Sequence, residues 1–428
     1  MTMKLSEDII QFVWKYQLYR KVKLRTLSGK ELQVKRAGLH NLNEGPDFEN
    51  AFLVIDGIGW VGNIEIHTLS SDWNRHNHQL NPAYNTVILH VVNQHDLEIK
   101  REDDTVPETL VLGSLIEPRI LERYDSIMNS MHWIPCEKLI HIVDPFYIQQ
   151  WFDTLLFERF IMKSGYVLKL LDEYQGNWEE VTYIMLARSF GFGVNADAFE
   201  QLARILPSGL IRKYGHDRQA VEALIFGQAG MLDTDFQKGY PQQLQKEFGY
   251  LRKVHRLKPM ENVVWKFLRM RPSGFPTIRL AQFAALCSSI NHFFALIIEI
   301  ENLNLWRIRF NGLIVNEYWS THYHFRKETA RHHTALGKGA VDLILINTIA
   351  LLLFSYGKYV GDSKYMDRSV LFLEGIKPEN NRIIQKYTKL GVQVQSAADT
   401  QALKQLKISY CDKKRCLSCE IGSQIIKR

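Results

Sequence analysis

The stretch that decides the fold of the first third of the chain runs from residue 45 to residue 67 and reads GPDFENAFLVIDGIGWVGNIEIH. Its two halves are apolar and rich in β-branched residues, and the Asp56-Gly57 pair between them favours a tight turn, so the stretch predicts a β-hairpin. With the turn near residues 56–59, paired residues have numbers that sum to about 114, which sets Asp47 opposite residues 65–68. Because side chains alternate along a strand, Glu65 and His67 share a face. We therefore expect Asp47, Glu65 and His67 to meet at one end of the hairpin.

The segments around the hairpin predict a mixed α/β domain followed by helices. Residues 1–20 have helical spacing, residues 21–25 and 31–35 alternate around a Ser28-Gly29 turn, and residues 87–92 form an apolar run typical of a strand covered on both faces. The fold class is thus α+β, with an N-terminal mixed α/β domain at residues 1–117 and a larger all-α domain at residues 118–428. In the second domain the Phe226–Gly230 segment predicts a tight helix–helix contact. Its predicted helices cover residues 146–174, 178–190, 197–206, 220–232, 278–288, 341–356, 369–374, 378–390 and 399–408.

Composition places few limits on function. The 428 residues include 53 Lys and Arg against 46 Asp and Glu, a net charge of +7 that suits a polyanionic partner without establishing one. The longest apolar run, residues 343–354, contains Asn347 and reads as a buried helix that is too short to span a membrane. The first residues lack the layout of a signal peptide, and an odd count of five cysteines does not suit a disulfide scaffold. We expect a cytoplasmic protein without a membrane segment, and protein partners are not predictable.

The acids at the end of the hairpin predict a metal site. Asp47 and Glu65 would supply converging carboxylate oxygens, the ligands that Mg²⁺ or Mn²⁺ prefers, and the ion would activate a water and stabilise charge on a phosphate. Glu31 or Glu44 is a candidate for a further acid, and the sequence does not choose between them. The competing interpretation is an ordinary Gly-Pro-Asp turn, since each half of the motif is short.

This arrangement resembles the PD-(D/E)xK nuclease superfamily, in which Pro-Asp on one strand is followed by acid-any-Lys on the next, then a helix and an apolar core strand. Pro46-Asp47 and Glu65-Ile66-His67 match the two halves, and residues 87–92 match the core strand. The resemblance implies a restriction-endonuclease-like N-terminal domain with Asp47, Glu65 and His67 as catalytic residues. His67 stands where the superfamily has lysine. A neutral imidazole can orient water or bind metal, but it lacks the permanent charge of lysine, which puts the catalytic rate in doubt.

A polar, histidine-rich loop follows the second strand of the hairpin. We expect Asp72, Arg75, His76 and His78 to line the rim of the acidic site and to contact substrate, with Arg75 as the natural phosphate ligand. The His76-x-His78 spacing also fits a zinc or manganese hydrolase acting on a small substrate. A loop whose histidines bond only to the backbone is the third interpretation. Trp60 and Trp73 are candidates for base stacking, although core packing is the more common role.

The C-terminal segment predicts a second metal site. Cys411-x4-Cys416-x2-Cys419 supplies three thiols, and Cys136 is the candidate fourth ligand of a four-thiolate zinc or iron–sulfur site. Free thiols in a reducing compartment are the alternative. Cys287 lies in an apolar helix and is expected in the core.

Over nearly its whole length the sequence is similar to the domain-of-unknown-function 2851 family, found chiefly in Bacteroidetes. The resemblance lies in residues 43–48, 62–67, 71–78, 87–92, 186–192, 226–230, 269–272 and 410–419. It implies no activity. From the residues we expect a metal-dependent nuclease-like protein acting on DNA or RNA phosphodiesters, with altered or lost activity left open. The alternatives are a non-catalytic nucleic-acid-binding module and the zinc or manganese hydrolase.

Overall fold

The computed structural model describes residues 5–20, 22–261 and 265–428. It divides into two compact units, of which the first comprises Met1–Trp151, Lys386–Gln393 and Lys404–Arg428, and the second Phe152–Gln385 and Val394–Leu403. This division places residues 118–151 and the cysteine-rich C-terminal segment with the first unit, whereas the sequence prediction assigns both to the helical domain.

The structure is a mixed α and β protein, as the composition of its segments predicts. The strands are β1 (Leu24–Arg25), β2 (Glu31–Arg36), β3 (Leu39–His40), β4 (Phe48–Ile55), β5 (Ile58–Leu69), β6 (Val87–Gln94), β7 (Glu108–Val111), β8 (His322–His324) and β9 (Lys327–Glu328). The helices are α1 (Glu7–Lys15), α2 (Asp72–Arg75), α3 (Pro118–Met128), α4 (Pro145–Glu173), α5 (Trp178–Phe190), α6 (Ala196–Ile205), α7 (Ser208–Lys213), α8 (Arg218–Gln228), α9 (Gly239–His255), α10 (Pro276–Ser289), α11 (Phe293–Glu299), α12 (Leu303–Asn311), α13 (Lys338–Ile344), α14 (Ala350–Val360), α15 (Ser363–Glu374), α16 (Arg382–Lys389), α17 (Ala397–Gln405) and α18 (Glu420–Lys427).

The first unit is built on a mixed sheet. Among the described residues its strands follow the order β1-β2-β4-β5-β6-β7, and β3 also pairs with β4. Strands β1 to β5 pair antiparallel, whereas β6 runs parallel to both β5 and β7. The predicted first hairpin exists, but it is shorter than predicted and its residue 21 lies outside the described residues. Strand β6 is buried along most of its length, as its unbroken apolar run predicts.

The β4–β5 hairpin sets the geometry of the candidate site. It turns at Asp56 and Gly57, both with positive φ, as the Asp-Gly pair predicts. From this turn to Ala51 the paired residues are one out of step with the predicted register. A bulge between Phe48 and Ala51, where Asn50 has φ +55°, then shifts the pairing again and brings Phe48 opposite Ile64. The residue before Phe48 therefore faces Glu65, as expected.

Helix α1 covers one face of this sheet through an apolar stripe. Ile9, Ile10 and Val13 are fully buried, and the indole N–H of Trp14 donates to the carbonyl of Ala37 at 3.0 Å. Residues 1–4 of the predicted helix lie outside the described part. Over the site, α2 and a 3-10 turn, His78–Leu80, follow the end of β5.

The second unit is helical apart from the β8–β9 hairpin. The helix predicted at residues 178–190 has those bounds, and the other predicted helices are shifted by a few residues at their ends. The predicted close helix contact is confirmed, because a Cβ on Gly227 of α8 would lie 2.2 Å from the ring of Phe248 on α9. Cys287 is buried in α10, as expected.

One prediction about this unit was wrong. The apolar segment is not short: through the π turn Leu345–Ile349 it forms a helix from Lys338 to Val360, whose 23 residues are long and apolar enough for a membrane span. The turn extends the helix past Asn347, which the sequence analysis took as a sign of a short buried segment. Within its most apolar window 67% of the residues are buried, as in a core helix. The bent α10–α11 pair passes the same test only as a broken span.

Candidate functional site

The carboxyl groups of Asp47 and Glu65 lie together at the open end of the β4–β5 hairpin, each accepting a hydrogen bond from the backbone of the opposite strand. The backbone N–H of Asp47 donates to Glu65 Oε2 at 3.1 Å, and the N–H of Ile66 donates to Asp47 Oδ2 at 2.9 Å. Gln11, on α1, donates to Asp47 Oδ1 at 2.9 Å. Glu65 is buried, and Asp47 is partly buried. Both strands and α1 thus fix this pair of acids.

Three imidazoles complete the site. The candidate ligand atoms of His67, His76 and His78 all lie within 4.8 Å of one another. His67 Nε2 is 3.1 Å from His76 Nδ1, and His78 Nε2 is 3.0 Å from Glu65 Oε1 without the geometry of a hydrogen bond. His67 comes from β5 and the other two from the loop. Asn77, at φ 61°, turns the chain between them, a conformation that Asn tolerates better than most residues.

His90 lies behind this group on β6. Its register partner is Glu65, so both side chains are on the same face of the sheet. His90 Nε2 is 2.8 Å from His67 Nδ1, and its own Nδ1 has no hydrogen-bond partner. His90 is fully buried, like Trp73, whose ring contacts those of His67, His78 and His90. The predicted core role of Trp73 is therefore the observed one, and its ring is not open to a nucleic-acid base.

Burial sets the protonation of the site. It raises the pKa of Asp47 to about 7, with the nearby Glu65 adding to the effect, and that of Glu65 to about 8. It lowers the pKa of His67 to about 2, that of His78 to about 4 and that of His90 to about 3. Without a cation the imidazoles are neutral at physiological pH, and ionising the carboxyl pair is costly. A divalent ion at this point would remove that cost.

The donor set fits such an ion. Glu65 Oε1 lies 3.5 Å from His67 Nε2 as well as near His78, so one carboxylate oxygen and the imidazole nitrogens converge. Asp47 is less free, because its two oxygens already accept hydrogen bonds from Gln11 and Ile66. The site therefore offers more nitrogen ligands than the two-acid site predicted from the sequence.

The other predicted residues take different places. Asp72 is buried. Its carboxylate accepts a hydrogen bond from the N–H of Leu69 at 3.0 Å and forms an ion pair with Arg75, so it stabilises the loop rather than facing an open site. Arg75 itself is largely exposed. The N–H of Glu31 donates to Asp56 at the far end of the hairpin, which removes Glu31 as a further acid at this site, and Glu44 is exposed.

Two residues of α1 were missed by the sequence analysis. The pKa of Glu7 is raised to about 7, chiefly by burial and then by the negative charge of the nearby Asp47. Gln11, one turn later, contacts Asp47 directly. The signal was present as two polar residues at i and i+4 beside an apolar stripe. What the sequence did not show is which strand that helix covers.

A cavity of about 620 Å³ is lined in part by Gln11, which also bonds to Asp47, although the described residues that line it do not include Asp47 or Glu65. Its walls include the cationic residues Lys15, Lys413, Lys414 and Arg415, together with His40, Asp8 and Glu420. All of these residues belong to the first unit.

Comparison with known proteins identifies the family. A family model described as a protein of unknown function, DUF2851, matches residues 7–382. The chain belongs to the DUF2851 family. The matched segment includes Asp47, Glu65 and all four histidines of the site, and it ends before Cys411. No curated protein and no solved structure matches this DUF2851 member, so its function has to be argued from the site.

The structure also brings together the four cysteines predicted as a second site. Cys136, Cys416 and Cys419 are buried, and Cys411 is partly buried. Burial raises the pKa of each thiol, and the charge of neighbouring thiolates raises it further, with Cys136 responding to all three others. All four belong to the first unit.

Proposed function

We propose that this DUF2851 protein is a metal-dependent nuclease that hydrolyses phosphodiester bonds of DNA or RNA at the Asp47–Glu65–His67 site. The observation that carries the proposal is the pairing of the buried Glu65 and the partly buried Asp47 with three imidazoles, two of them buried, at one end of a hairpin. Uncompensated groups of this kind are costly to bury, which is the usual mark of a functional site.

The order of elements supports a relation to the PD-(D/E)xK superfamily. Helix α1 precedes antiparallel strands, the Pro-Asp lies at the start of β4, the acid-any-His lies on β5, and β6 runs parallel to β5. The chain departs from that pattern between β5 and β6, where the four-residue α2 and 3-10 turns replace a full helix. It is this replacement that supplies His76 and His78.

The residues that would hold the ion are Glu65, His67, His76 and His78, with Asp47 beside them. A mixed imidazole and carboxylate set favours Mn²⁺ or Zn²⁺ over the Mg²⁺ that two acids alone would suggest. When bound, the ion would supply positive charge for the developing phosphate charge and would activate an attacking water.

The chain's own residues fix the site in one protonation pattern. If Nε2 of His67 is to bind the ion, the ring proton is on Nδ1, which would then donate to His90 Nε2 at 2.8 Å and orient the ring. Gln11 and the N–H of Ile66 hold both oxygens of Asp47. The pair of acids is therefore positioned before any substrate arrives.

The cavity beside Gln11 supports a polyanionic substrate. Lys15, Lys413 and Arg415 line it, and cationic side chains along a cleft bind successive phosphates without reading sequence. Lys414 also lines it, although its ammonium group donates to the carbonyl of Met128 at 2.7 Å. Nucleic acid is accordingly the partner that we propose.

One observation favours a second candidate function. The His67–His76–His78 group resembles the three-imidazole ligand sets of zinc hydrolases, in which the fourth position is open. A hydrolase of a small phosphorylated or acyl substrate would use this group and would not need the cationic cavity.

The test is a cleavage assay on the full-length protein. Labelled single- and double-stranded DNA and RNA are incubated with Mg²⁺, Mn²⁺, Zn²⁺ or chelator, beside Asp47→Asn and Glu65→Gln variants. Glu49→Gln is the matched control, since Glu49 is exposed on the same strand as the site. We expect cleavage with Mn²⁺ that falls at least a hundredfold in the two site variants and is unchanged in the control.

Each other outcome selects a different function. Cleavage that survives in both site variants would place the chemistry elsewhere and refute the proposal. Binding of nucleic acid without cleavage would identify a non-catalytic binding module. Hydrolysis of small phosphate or acyl esters alone would select the second candidate.

A further inference from the structure

The four cysteines of the first unit form a site that the proposed nuclease chemistry does not use. Cys411, Cys416 and Cys419 come from one short segment, and Cys136 comes from a turn after α3, far away in sequence. None is in a disulfide. Four thiols from two separate stretches of the chain are the donor set that a four-thiolate metal site requires.

The surroundings of the sulfurs suit thiolates. Cys419 immediately precedes α18, and the backbone N–H groups of Ile421 and Gly422 bond to its sulfur. The hydroxyl of Tyr387 lies 3.4 Å from the sulfur of Cys411. Hydrogen bonds to sulfur and the start of a helix both stabilise a thiolate.

Positive charge lies close by. Lys414 lies in the segment between Cys411 and Cys416, and its ammonium group donates to the carbonyl of Met128 at 2.7 Å, whereas Lys407 forms an ion pair with Asp412. Lys386 and Lys407 lie over the ring of Trp133, at 4.8 Å and 5.3 Å from its centroid, and that ring contacts Tyr387. These cations would offset the negative charge of four thiolates.

The segment is also fitted tightly to its neighbours. A Cβ on Gly422 would lie 2.3 Å from the carbonyl oxygen of Cys416, so only glycine allows α18 to approach the turn that carries Cys416. Arg123 of α3 donates to the carbonyl of Ile425 at 3.3 Å. The ligand residues are thus held by the backbone rather than by the sulfurs alone.

The spacing of the sulfurs distinguishes a cluster from a single ion. Zinc with bonds of about 2.3 Å would hold its sulfurs roughly 3.8 Å apart. Among the described residues, the ligand atoms of His67, His76 and His78 lie within 4.8 Å of one another, whereas no three of the four cysteine sulfurs are grouped that closely. A four-iron cluster binds each thiolate through a different iron and therefore needs a wider arrangement of sulfurs than one zinc ion does.

We propose that Cys136, Cys411, Cys416 and Cys419 bind an iron–sulfur cluster that ties the segment of residues 411–419 to the turn at residue 136. Binding replaces the proton of each thiol by an iron, and the four protons leave to solvent. The cluster is structural, because with four cysteine ligands no iron keeps an open position for a substrate.

The experiment uses full-length protein purified without oxygen. Iron, zinc and acid-labile sulfide are measured per chain, together with visible absorption and electron paramagnetic resonance after reduction. We expect about four irons and four sulfides per chain, as in a four-cysteine cluster. Cys136→Ser and Cys416→Ser should lower the iron content at least fivefold, whereas Cys287→Ser, which changes the fifth cysteine in α10, should leave it unchanged.

The wild-type measurement decides the matter even where a variant fails to fold. One zinc per chain without sulfide would overturn the cluster, as would wild-type protein that holds no metal after reconstitution with iron and sulfide. Iron content that persists in a folded Cys136→Ser variant, shown by an unchanged circular dichroism spectrum, would overturn the assignment of Cys136.

Discussion

Replacing Glu65 by Gln is expected to stabilise the metal-free protein at alkaline pH. Burial raises the pKa of Glu65 from its ordinary value of 4.5 to about 8, against an opposing hydrogen bond from the N–H of Asp47. Between these two pH values the folded protein holds a proton that the unfolded chain has released. The free energy of unfolding therefore falls as pH rises from about 4.5 to about 8. The stability that the protonated Glu65 carboxyl gives the folded protein is complete only below pH 4.5.

The size of the effect follows from the two pKa values. Their difference corresponds to roughly 5 kcal/mol at most. Asp47, whose pKa is raised to about 7, titrates in the same pair, so we expect about 2–3 kcal/mol for Glu65 alone. Glutamine has the shape of a protonated glutamic acid and keeps the acceptor for Asp47 N–H, 3.1 Å away. The buried histidines contribute equally to both proteins and cancel in the comparison.

The assay is urea unfolding at pH 5, 7 and 9 in the presence of chelator. Wild type and Glu65→Gln should be nearly equal at pH 5, and the variant should be more stable by about 2–3 kcal/mol at pH 9. Exposed Glu49 provides the control as Glu49→Gln, which should match wild type at every pH. Added Mn²⁺ should reverse the order, because only wild type gains a tight site. A difference that is independent of pH, or a variant that is less stable at pH 9, would refute this account of Glu65.

Three further measurements test the surroundings of the site. His90→Phe removes the partner of His67 Nδ1 and should weaken Mn²⁺ binding roughly 10–100-fold in calorimetry; an unchanged affinity would show that His90 does not orient His67. Lys413→Ala should weaken binding of single-stranded DNA and lower the slope of log K against log salt by about 0.7, whereas Lys253→Ala on α9 should change neither. Trp73→Ala removes a fully buried ring whose N–H donates to the carbonyl of Lys100 and should cost about 3–5 kcal/mol in urea unfolding; a cost below about 1 kcal/mol would contradict its place in the core.

The hairpin was predictable because its signals are local. Alternating apolar residues and an Asp-Gly turn are read directly from the sequence, and they were enough to set Asp47 opposite residues 65–68, a range that includes its observed neighbour Glu65. The bulge at Asn50 was not predictable, since nothing in the sequence around it requires an extra residue in that strand. Its effect on the register was nevertheless small enough that the expected acids still meet.

The ligand set was harder to predict because it depends on tertiary contacts. The sequence placed His76 and His78 at a rim; His76 is exposed there, whereas His78, after the left-handed turn at Asn77, is buried beside His67. Asp72 was predicted to contact substrate, but its carboxylate instead accepts a hydrogen bond from the backbone N–H of Leu69. Gln11 comes from a helix whose docking on the sheet is decided by apolar packing far from any motif.

The first unit is assembled from three separate stretches of the chain, and the whole second unit lies between them in sequence. During synthesis the strands of the sheet are therefore complete long before residues 404–428 have been made. The second unit can fold before residues 404–428 are synthesised. The first unit stays incomplete until then, and its exposed surface is accessible to proteases and chaperones. Closing so long a loop costs only slightly more entropy than closing a short one, but the contacts that close it are slow to find. Refolding of this protein should accordingly show a fast helical phase followed by a slower phase in which the first unit is completed.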